Sequence, residues 1–371
     1  MSPRAGRKPK KPTLFRNLGD LETDASRVVD DAVWGYIQGG AGAEETLRAN
    51  REAFRRWSLR PSVLGNVSSL DLTTSVLGQP VRAPFFLAPT AYHGAIHPDG
   101  ERGTARAAAG AGVLAVFSTL STDPLEAIGR SAPAGVRWFQ LYLQSEFAAS
   151  ERLVHRAEKA GFAALVVTVD TPVLGSRDRQ LRSGFAISSP VPVGNGADAR
   201  SPARAPVRKG NRYRLPAPAD ATWEIIDRLR TVARLPIVVK GILTAEDARR
   251  AVEHGVRGIV VSNHGGRQLD RATAALDALA EVVDAVDGRA EVYFDGGVRR
   301  GSDALVALSL GARAVGLGRP VLWALALGGE AGVSRLCSLF ATDLATSLAL
   351  LGRRSVRELD RSVLGPGTPG R

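Results

Sequence analysis

The sequence predicts an α/β fold, a (β/α)8 or TIM barrel with an N-terminal helical extension and C-terminal helices. The chain has 371 residues, of which 44% are hydrophobic and 23% are charged, as in a globular protein with a packed core. Short apolar runs alternate with segments rich in alanine and charged residues, which is typical of parallel βαβ units. The runs number eight, and eight parallel strands close a barrel of this kind.

A doubly wound open sheet is the competing fold. Such a sheet commonly carries a glycine-rich turn after its first strand. The first apolar run here ends in Ala88-Pro89-Thr90-Ala91, which contains no glycine. The strand count and this turn together favour the closed barrel.

The strands are expected where β-branched and aromatic residues form short runs that end in polar residues or glycine. In chain order they are 85–88, 113–117, 137–139, 164–169, 237–239, 258–261, 291–294 and 314–317. Helices are expected between them at 101–111, 146–160, 245–254, 273–286 and 302–310. Thr244 is a suitable N-cap for the third of these helices, with Asp247 as its acidic partner in the first turn.

The segments outside the barrel complete the predicted organisation. Helices at 25–37 and 43–56 precede the first strand, and helices follow Pro320 to about Leu359. We expect a single barrel domain at 21–362, a disordered basic tail at 1–20 and a flexible tail at 363–371. Residues 186–219 are rich in proline, glycine, alanine and arginine without periodicity, so they are predicted to form a mobile loop over the domain.

Composition narrows the classes of partner. The formal net charge is +12, but arginine is scattered along the chain, which argues against nucleic-acid binding and for a local site that takes an anion. The single cysteine, Cys337, excludes an intrachain disulfide and fits a cytoplasmic protein. The basic start precedes no apolar segment, and no run of 18 apolar residues occurs, so neither a secretory signal nor a membrane span is expected.

Polar residues follow every predicted strand. In a barrel the carboxyl ends of the strands meet at one face, and that face carries the active site. A single polar residue at such a place is more often part of a turn or cap, but the pattern over all strands favours a site. We expect the following side chains to converge: Thr90, Ser118, Gln140, Tyr142, Thr168, Asp170, Lys240, Ser262, His264, Arg267, Asp295 and Arg319.

The last two strands carry a signal for phosphate. They run into Asp295-Gly296-Gly297-Val298-Arg299-Arg300-Gly301 and Gly316-Leu317-Gly318-Arg319-Pro320. Glycines let backbone N–H groups approach phosphate oxygens, and a following helix N-terminus adds positive potential. Two tight turns would explain the glycines alone, but Arg299 and Arg319 beside them favour a phosphate-bearing cofactor.

The stretch Ser262-Asn263-His264-Gly265-Gly266-Arg267-Gln268-Leu269-Asp270 follows the sixth strand. A histidine held by a carboxylate can act as a base, and an arginine can bind a carboxylate through two parallel hydrogen bonds. Metal binding is the competing use of the histidine, but no second histidine lies at ligand spacing, so no metal is expected. The other histidines, His93, His97, His155 and His254, are interpreted as loop or helix-surface residues.

These residues resemble the FMN-dependent α-hydroxy acid oxidases and dehydrogenases, which include glycolate oxidase, lactate oxidase, mandelate dehydrogenase and hydroxymandelate oxidase. The similarity runs from about Asp30 to Leu359. Besides the His264 stretch it includes Phe139-Gln140-Leu141-Tyr142, Thr168-Val169-Asp170-Thr171-Pro172 and Val239-Lys240-Gly241. The resemblance implies a (β/α)8 barrel, FMN as cofactor, and oxidation of a 2-hydroxy acid to the 2-keto acid with O2 as the electron acceptor. It also implies a homotetramer.

The resemblance also implies a role for each site residue. His264 would be the base and Asp170 its partner, and Arg267, Arg177, Tyr36 and Tyr142 would bind the carboxylate and hydroxyl of the substrate. Lys240 would lie near N1 and O2 of the flavin. The flavin contacts would come from Thr90, Ala91, Ser118, Gln140, Thr168, Ser262 and Asp295. The phosphate contacts would come from Gly297, Arg299, Gly318 and Arg319.

One departure bears on the substrate. Glycolate oxidase has a tryptophan shortly after the second strand, where this chain has Leu120. A smaller side chain leaves room for a larger substituent, so the resemblance favours an aromatic 2-hydroxy acid of the mandelate or hydroxymandelate type, with Leu120 in the substrate pocket. Tyr92 and the 186–219 loop are expected to contribute to the same pocket.

Other functions remain open at this point. Within the same class they are a lactate-type dehydrogenase with another acceptor and a monooxygenase. In other classes they are a non-catalytic flavin- or phosphate-binding barrel and a barrel for another phosphate cofactor or a sugar phosphate. A non-catalytic binder is disfavoured because His264 and the arginines are all present.

Overall fold

A computed structural model of the chain describes residues 15–185, 193–195 and 221–367. Eight parallel strands form a closed barrel in which β4 to β11 follow each other in chain order. They are β4 Phe85–Leu87, β5 Leu114–Ser118, β6 Arg137–Leu141, β7 Leu165–Thr168, β8 Ile237–Ile242, β9 Gly258–Val261, β10 Glu291–Asp295 and β11 Ala314–Leu317. The barrel closes through the pairing of β11 with β4, and the predicted fold class is confirmed.

Helices surround the barrel, and most lie at the predicted places. They are α4 Gly100–Ala111, α5 Leu125–Ser131, α6 Phe147–Lys159, α7 Asp178–Arg182, α8 Glu224–Val232, α9 Ala245–Glu253, α10 Ala275–Val286, α11 Gly301–Ser309 and α12 Arg319–Leu350. The Thr244 side chain accepts a hydrogen bond from the backbone N–H of Asp247, so the predicted N-cap of α9 is confirmed.

The N-terminal extension differs from the prediction. Instead of one helix at 25–37 it has α1 Leu21–Ser26 and α2 Asp31–Gln38, followed by α3 Glu45–Glu52. The helical segment is interrupted at Asp30, because the Asp30 carboxylate accepts a hydrogen bond from the backbone N–H of Ala32 and caps a new helix. The break matters because α2 carries Tyr36.

Both predicted tails are in part packed structure. Phe15, inside the predicted basic tail at 1–20, is a buried core residue. The predicted flexible tail begins with a buried Val363, and the strand β12 Leu364–Pro366 pairs antiparallel with β1 Trp57–Leu59. A second hairpin, β2 Thr74–Val76 with β3 Gln79–Val81, precedes the barrel. Of the predicted 186–219 loop, only 193–195 belong to the described residues.

The barrel interior is filled by side chains from alternate strand positions. Trp138 packs edge-on against Tyr293, with ring centroids 5.2 Å apart, and Phe86 lies 6.2 Å from the same ring. The other alternate positions pack between strands and helices in a second, larger core. The centre of the barrel is therefore filled with side chains, so a cavity within the barrel can form only at the ends of the strands.

The helix α12 is long and apolar enough to cross a membrane by length and composition alone. Its backbone leaves the helical conformation at Gly328 and Gly329, however, so it consists of two helical segments. Many of its apolar side chains, including Trp323 and Phe340, are buried in the core shared with the barrel. The packing accounts for these buried side chains, whereas Leu350 at the end of the helix is exposed.

Candidate active site

The pleat of the strands builds the site. Side chains two residues apart on a strand point the same way, so on several strands the last interior apolar residue is followed two positions later by a polar one at the rim. Val238 is followed in this way by Lys240, Trp138 by Gln140 and Tyr293 by Asp295. The polar residues therefore converge at the carboxyl end of the barrel because the same alternation fills its centre.

A cavity opens at this end, with about 1330 Å³ of empty space including its mouth. All but two of the predicted site residues line it. They are Tyr36, Thr90, Ala91, Ser118, Leu120, Gln140, Tyr142, Thr168, Arg177, Lys240, His264, Arg267, Asp295, Gly297, Arg299, Gly318 and Arg319.

The two exceptions, Asp170 and Ser262, lie behind lining residues. Asp170 lies behind His264, with the imidazole Nδ1 at 3.0 Å from one carboxylate oxygen and 3.2 Å from the other. This contact places the proton on Nδ1 and leaves Nε2 free to accept one. Burial raises the pKa of Asp170, but the His264 charge and hydrogen bond and the Lys240 charge outweigh it, so the pKa is lowered and Asp170 is ionised.

The pKa of His264 lies below its ordinary value. Burial lowers it more than Asp170 raises it, and the charges of Lys240 and Arg177 lower it further. The imidazole is therefore neutral at pH 7 and can act as a base at Nε2. The backbone of His264 lies in the left-handed region, with φ of 59°. The backbone N–H of His264 donates to the Ser262 hydroxyl at 3.1 Å.

Tyr142 stands next to the base. Its hydroxyl lies 3.3 Å from Nε2 of His264, and the two rings are nearly parallel, with an interplanar angle of 19°. Burial, reinforced by the Asp170 charge, raises the pKa of Tyr142 far above its ordinary value. The phenol therefore keeps its proton and is a hydrogen-bond donor in the cavity.

Two arginines give the cavity a positive wall. Arg267 donates at 2.7 Å to the carbonyl oxygens of Tyr36 and Gly39, and its guanidinium lies 5.0 Å from the centre of the Tyr36 ring. Burial, together with the Arg177 charge, lowers the pKa of Arg267 to about 10, so it stays charged at pH 7. Tyr36 also stacks on Phe185 at 4.6 Å. A carboxylate is the ligand that this pair of guanidinium groups fits.

Ser262 differs from its predicted role. It is fully buried and does not line the cavity; its hydroxyl accepts from Nζ of Lys240 at 2.7 Å and donates to Asp295 at 2.6 Å. Asp295 also lies 3.1 Å from Nζ of Lys240. Ser262 and Asp295 thus fix the ammonium group of Lys240, which itself faces the cavity.

A row of hydrogen bonds links three neighbouring strands at the same rim. The Ser118 hydroxyl donates to Gln140 at 3.0 Å, and the Gln140 amide donates to the Thr168 hydroxyl at 2.9 Å. All three side chains face the cavity. They offer a planar heterocycle a fixed edge of donors and acceptors.

The opposite end of the cavity fits a phosphate group. Arg299 and Arg319 lie there, both half-buried. Desolvation lowers the pKa of Arg299 to about 10. It lowers the pKa of Arg319 further, together with the charges of Arg267 and Arg299. Within the described ranges, neither side chain forms an ion pair with a carboxylate. Gly318, just before α12, has open space where a Cβ would stand, so the backbone is accessible at the helix N-terminus. Arg319 donates to the carbonyl oxygens of Ile37, Gly265 and Gly39, but no carboxylate of the described residues neutralises either guanidinium charge. The two charges therefore favour an anion at this end.

Sequence reasoning missed the residues that hold these groups from behind. The Gln268 side chain donates at 2.9 Å to the carbonyl oxygens of Asp170 and Val173. Asn50 of α3 and Asn263 exchange side-chain hydrogen bonds at 2.8 Å across 213 positions. Amide side chains carry no charge or spacing signal, and only the adjacency of Gln268 and Asn263 to His264 marked them.

His93 was assigned wrongly. It is 4% exposed, and both of its ring nitrogens are hydrogen-bonded, so it is a core residue rather than a surface one. Among the described residues, no three histidine, cysteine, aspartate or glutamate side chains group as metal ligands.

The barrel, the paired base, the carboxylate-binding arginines and the phosphate end define a flavin-nucleotide oxidoreductase of the TIM-barrel class. The chain belongs to the FMN-dependent dehydrogenase family, whose pattern it matches over residues 25–366. FMN is its cofactor, and Arg299, Arg319, Lys240 and the Gln140 row are the residues that fit it.

Named relatives agree with this assignment. L-lactate oxidase of Nostoc sp. is 45% identical over 355 residues, covering 94% of this chain and 97% of that protein. 2-Hydroxyacid oxidase 2 of Homo sapiens is 43% identical over 351 residues with the same coverage. A crystal structure of mandelate oxidase superposes with a TM-score of 0.87 at 42% identity, covering 96% of this chain and 100% of that chain.

Proposed function

We propose that the protein oxidises an (S)-2-hydroxy acid to the 2-keto acid and passes the electrons to O2, which gives hydrogen peroxide. The observation that carries this proposal is the placement of a neutral, carboxylate-held His264 in one cavity with Arg267 and Arg177. When bound, FMN supplies the acceptor for the two electrons that leave the substrate. The relatives named lactate oxidase, 2-hydroxyacid oxidase and mandelate oxidase support the same chemistry.

Substrate binding and proton transfer are carried out by different residues. Arg267 and Arg177 hold the substrate carboxylate and so fix the α-carbon, while the phenol of Tyr142 donates to the substrate oxygen. Nε2 of His264 takes a proton from the substrate, and the ionised Asp170 stabilises the imidazolium that forms. The proton acceptor is needed whether the α-hydrogen leaves as a proton or as a hydride.

Lys240 acts through its charge. Its ammonium group is buried at 5% exposure and held by Ser262 and Asp295, so its position is set before substrate binds. A preorganised cation in a site of low dielectric favours the development of negative charge nearby. This supports the proposal that Lys240 stabilises the reduced cofactor.

We further propose an aromatic substrate of the mandelate type. Leu120 and Tyr92 line the cavity beside Tyr36, whose ring stacks on Phe185. These apolar and aromatic surfaces fit a ring on the α-carbon better than a hydrogen or methyl group. Similarity to mandelate oxidase supports the same choice.

The proposal is tested by mixing the FMN-loaded protein anaerobically with single 2-hydroxy acids. The flavin absorption should bleach with (S)-mandelate, faster than with (S)-lactate, and air should restore it with formation of peroxide. Bleaching by no 2-hydroxy acid would refute the activity. Restoration by a dye but not by air would replace the oxidase with a dehydrogenase.

Enlarging Leu120 should narrow the substrate range. In Leu120→Trp we expect kcat/KM for (S)-mandelate to fall by roughly 10- to 100-fold, the scale of a steric change in an apolar pocket, while (S)-lactate is affected less. Steady-state peroxide assays with both substrates measure this. Leu350→Trp, at an exposed leucine of α12, is the matched control and should change neither value. Equal losses for both substrates in Leu120→Trp would place the side chain away from the substituent.

The pH profile should report the His264–Asp170 pair. Because the pKa of His264 is lowered, kcat/KM should stay high as the pH falls through 6.5 and be lost only below it, when the imidazole gains a proton. In Asp170→Asn the carboxylate that raises the pKa of His264 is gone, so the acid limb should move to lower pH while kcat falls. Measurement of kcat/KM against pH for both proteins tests this prediction. An acid limb that moves to higher pH in Asp170→Asn would contradict the pairing of Asp170 with the base His264.

We propose a cytoplasmic homo-oligomer, a tetramer by family resemblance; the lone, buried Cys337 is consistent with a reducing compartment. Light scattering on the FMN-loaded protein tests the assembly. A monomer at micromolar concentration would refute it.

A further inference from the structure

His93 links the cavity wall to the first barrel helix. Its Nε2 lies 2.7 Å from the hydroxyl oxygen of Thr90, which lines the cavity, and its Nδ1 lies 3.0 Å from the hydroxyl oxygen of Thr104 in α4. His93 and Thr104 are both buried. The resemblance assigns Thr90 a flavin contact, but none of the roles assigned above uses His93 or Thr104.

The row has a fixed polarity. The Thr104 hydroxyl donates to the carbonyl oxygen of Gly100 at 3.3 Å, so its oxygen must accept from Nδ1–H of His93. Burial lowers the pKa of His93, although the charges of Glu101 and Asp123 oppose it, so the ring carries a single proton. Nε2 is therefore an acceptor, and the Thr90 hydroxyl donates to it.

We propose that His93 is a positioning residue that commits the hydroxyl proton of Thr90 and presents the oxygen lone pairs to FMN. A hydroxyl that was free to rotate could donate into the cavity as well as accept. With His93 in place, Thr90 can only accept, and FMN offers donors in its ring N–H and its ribityl hydroxyls. The inference rests on FMN dependence and not on the identity of the substrate.

A buried carboxylate keeps His93 in place. Glu101 accepts from the backbone N–H of His93 at 3.0 Å and from those of Thr122 at 2.9 Å and Asp123 at 3.1 Å. It thereby joins the turn after β4 to the loop after β5. Glu101 thus fixes the backbone of His93, and the hydrogen bond of Nδ1 with Thr104 fixes the orientation of the ring toward Thr90.

The test is a double-mutant cycle on FMN affinity, measured from the fluorescence of FMN released when the loaded full-length protein is serially diluted. His93→Leu and Thr90→Val should each raise the Kd for FMN by roughly 2- to 10-fold, the value of one hydrogen bond. The Kd of the double variant for FMN should be no higher than that of Thr90→Val, because His93 acts through Thr90. His93→Gln, which can accept from Thr90 and donate to Thr104, should restore the wild-type Kd.

Three results would overturn the proposal. They are additive effects of the two substitutions, equal Kd values for His93→Gln and His93→Leu, and an unchanged Kd in His93→Leu. If His93→Leu fails to fold, Thr104→Val serves in its place, because it removes the acceptor that fixes the tautomer of His93. Thr104→Val should raise the Kd over the same range, and an unchanged Kd there would overturn the proposal equally. Since the readout is FMN release, the outcome does not depend on which acid is oxidised.

Discussion

His264→Gln is expected to lower kcat for the proposed 2-hydroxy acid oxidation by roughly 10²- to 10⁴-fold, the usual contribution of a general base. The substitution removes the nitrogen that takes the proton, while the amide can still donate to Asp170, which lies 3.0 Å from Nδ1 in the native protein. Anaerobic stopped-flow mixing with substrate, followed at the flavin absorption, measures the effect directly. KM should change little, because the arginines bind the carboxylate.

The control for this variant is His155→Gln. His155 lies on α6, its side chain is 46% exposed, and its ion-pair partners among the described residues are Glu151 and Glu158 of the same helix. It should reduce flavin at the native rate. A His264→Gln protein that keeps its flavin and also reduces it at the native rate would show that another group takes the proton.

Arg267→Met is expected to lower kcat/KM by roughly 10²-fold, about 2–3 kcal/mol, mainly through a higher KM. The substitution leaves the substrate carboxylate with Arg177 alone in a buried site. Arg267→Lys should recover only part of the loss, because an ammonium group lacks the planar fork that binds a carboxylate through two bonds. Steady-state kinetics with (S)-mandelate over a wide concentration range separates KM from kcat.

A second measurement distinguishes loss of carboxylate binding in Arg267→Met from displacement of α2. Arg267 also donates to the carbonyl oxygens of Tyr36 and Gly39, so its loss could displace α2. The visible flavin spectrum and the melting temperature should stay close to native if α2 is in place. Arg271→Met, at an arginine whose side chain is 81% exposed, is the matched control and should leave kcat/KM unchanged. An unaltered KM in Arg267→Met would refute carboxylate binding by Arg267.

Much of the fold was predictable because its signals are local. Each barrel strand is a short run of apolar residues, and each run ends in the polar residue or glycine that lies at the rim. The predicted strand at 258–261 coincides with β9 Gly258–Val261, and that at 314–317 coincides with β11 Ala314–Leu317. The N-terminal extension was less predictable, since the cap at Asp30 breaks what its composition predicts as one helix.

The site was predictable as a set of residues but not as an arrangement. Chain order places Asp170 and His264 94 positions apart, and only the pairing of β7 and β9 with β8 between them brings their side chains to 3.0 Å. Ser262 looked like a ligand contact because it ends a strand, yet it supports Lys240 from behind. His93 was interpreted as a loop or helix-surface residue, whereas it is buried and hydrogen-bonded to Thr104 of α4.

The sequence by itself determined the barrel, the face that carries the chemistry, and the residue types that make up a base, an anion-binding pair and a phosphate site. The fold and the residue types follow from the alternation of apolar and polar residues along each strand and from the polar residues at the strand ends. Both signals are contained within each short segment of sequence. Only the tertiary structure decided which polar side chains face the cavity and which stand behind them. That choice depends on burial and on hydrogen bonds between distant segments, such as those of Asp170 with His264 and of His93 with Thr104, and no local pattern encodes them.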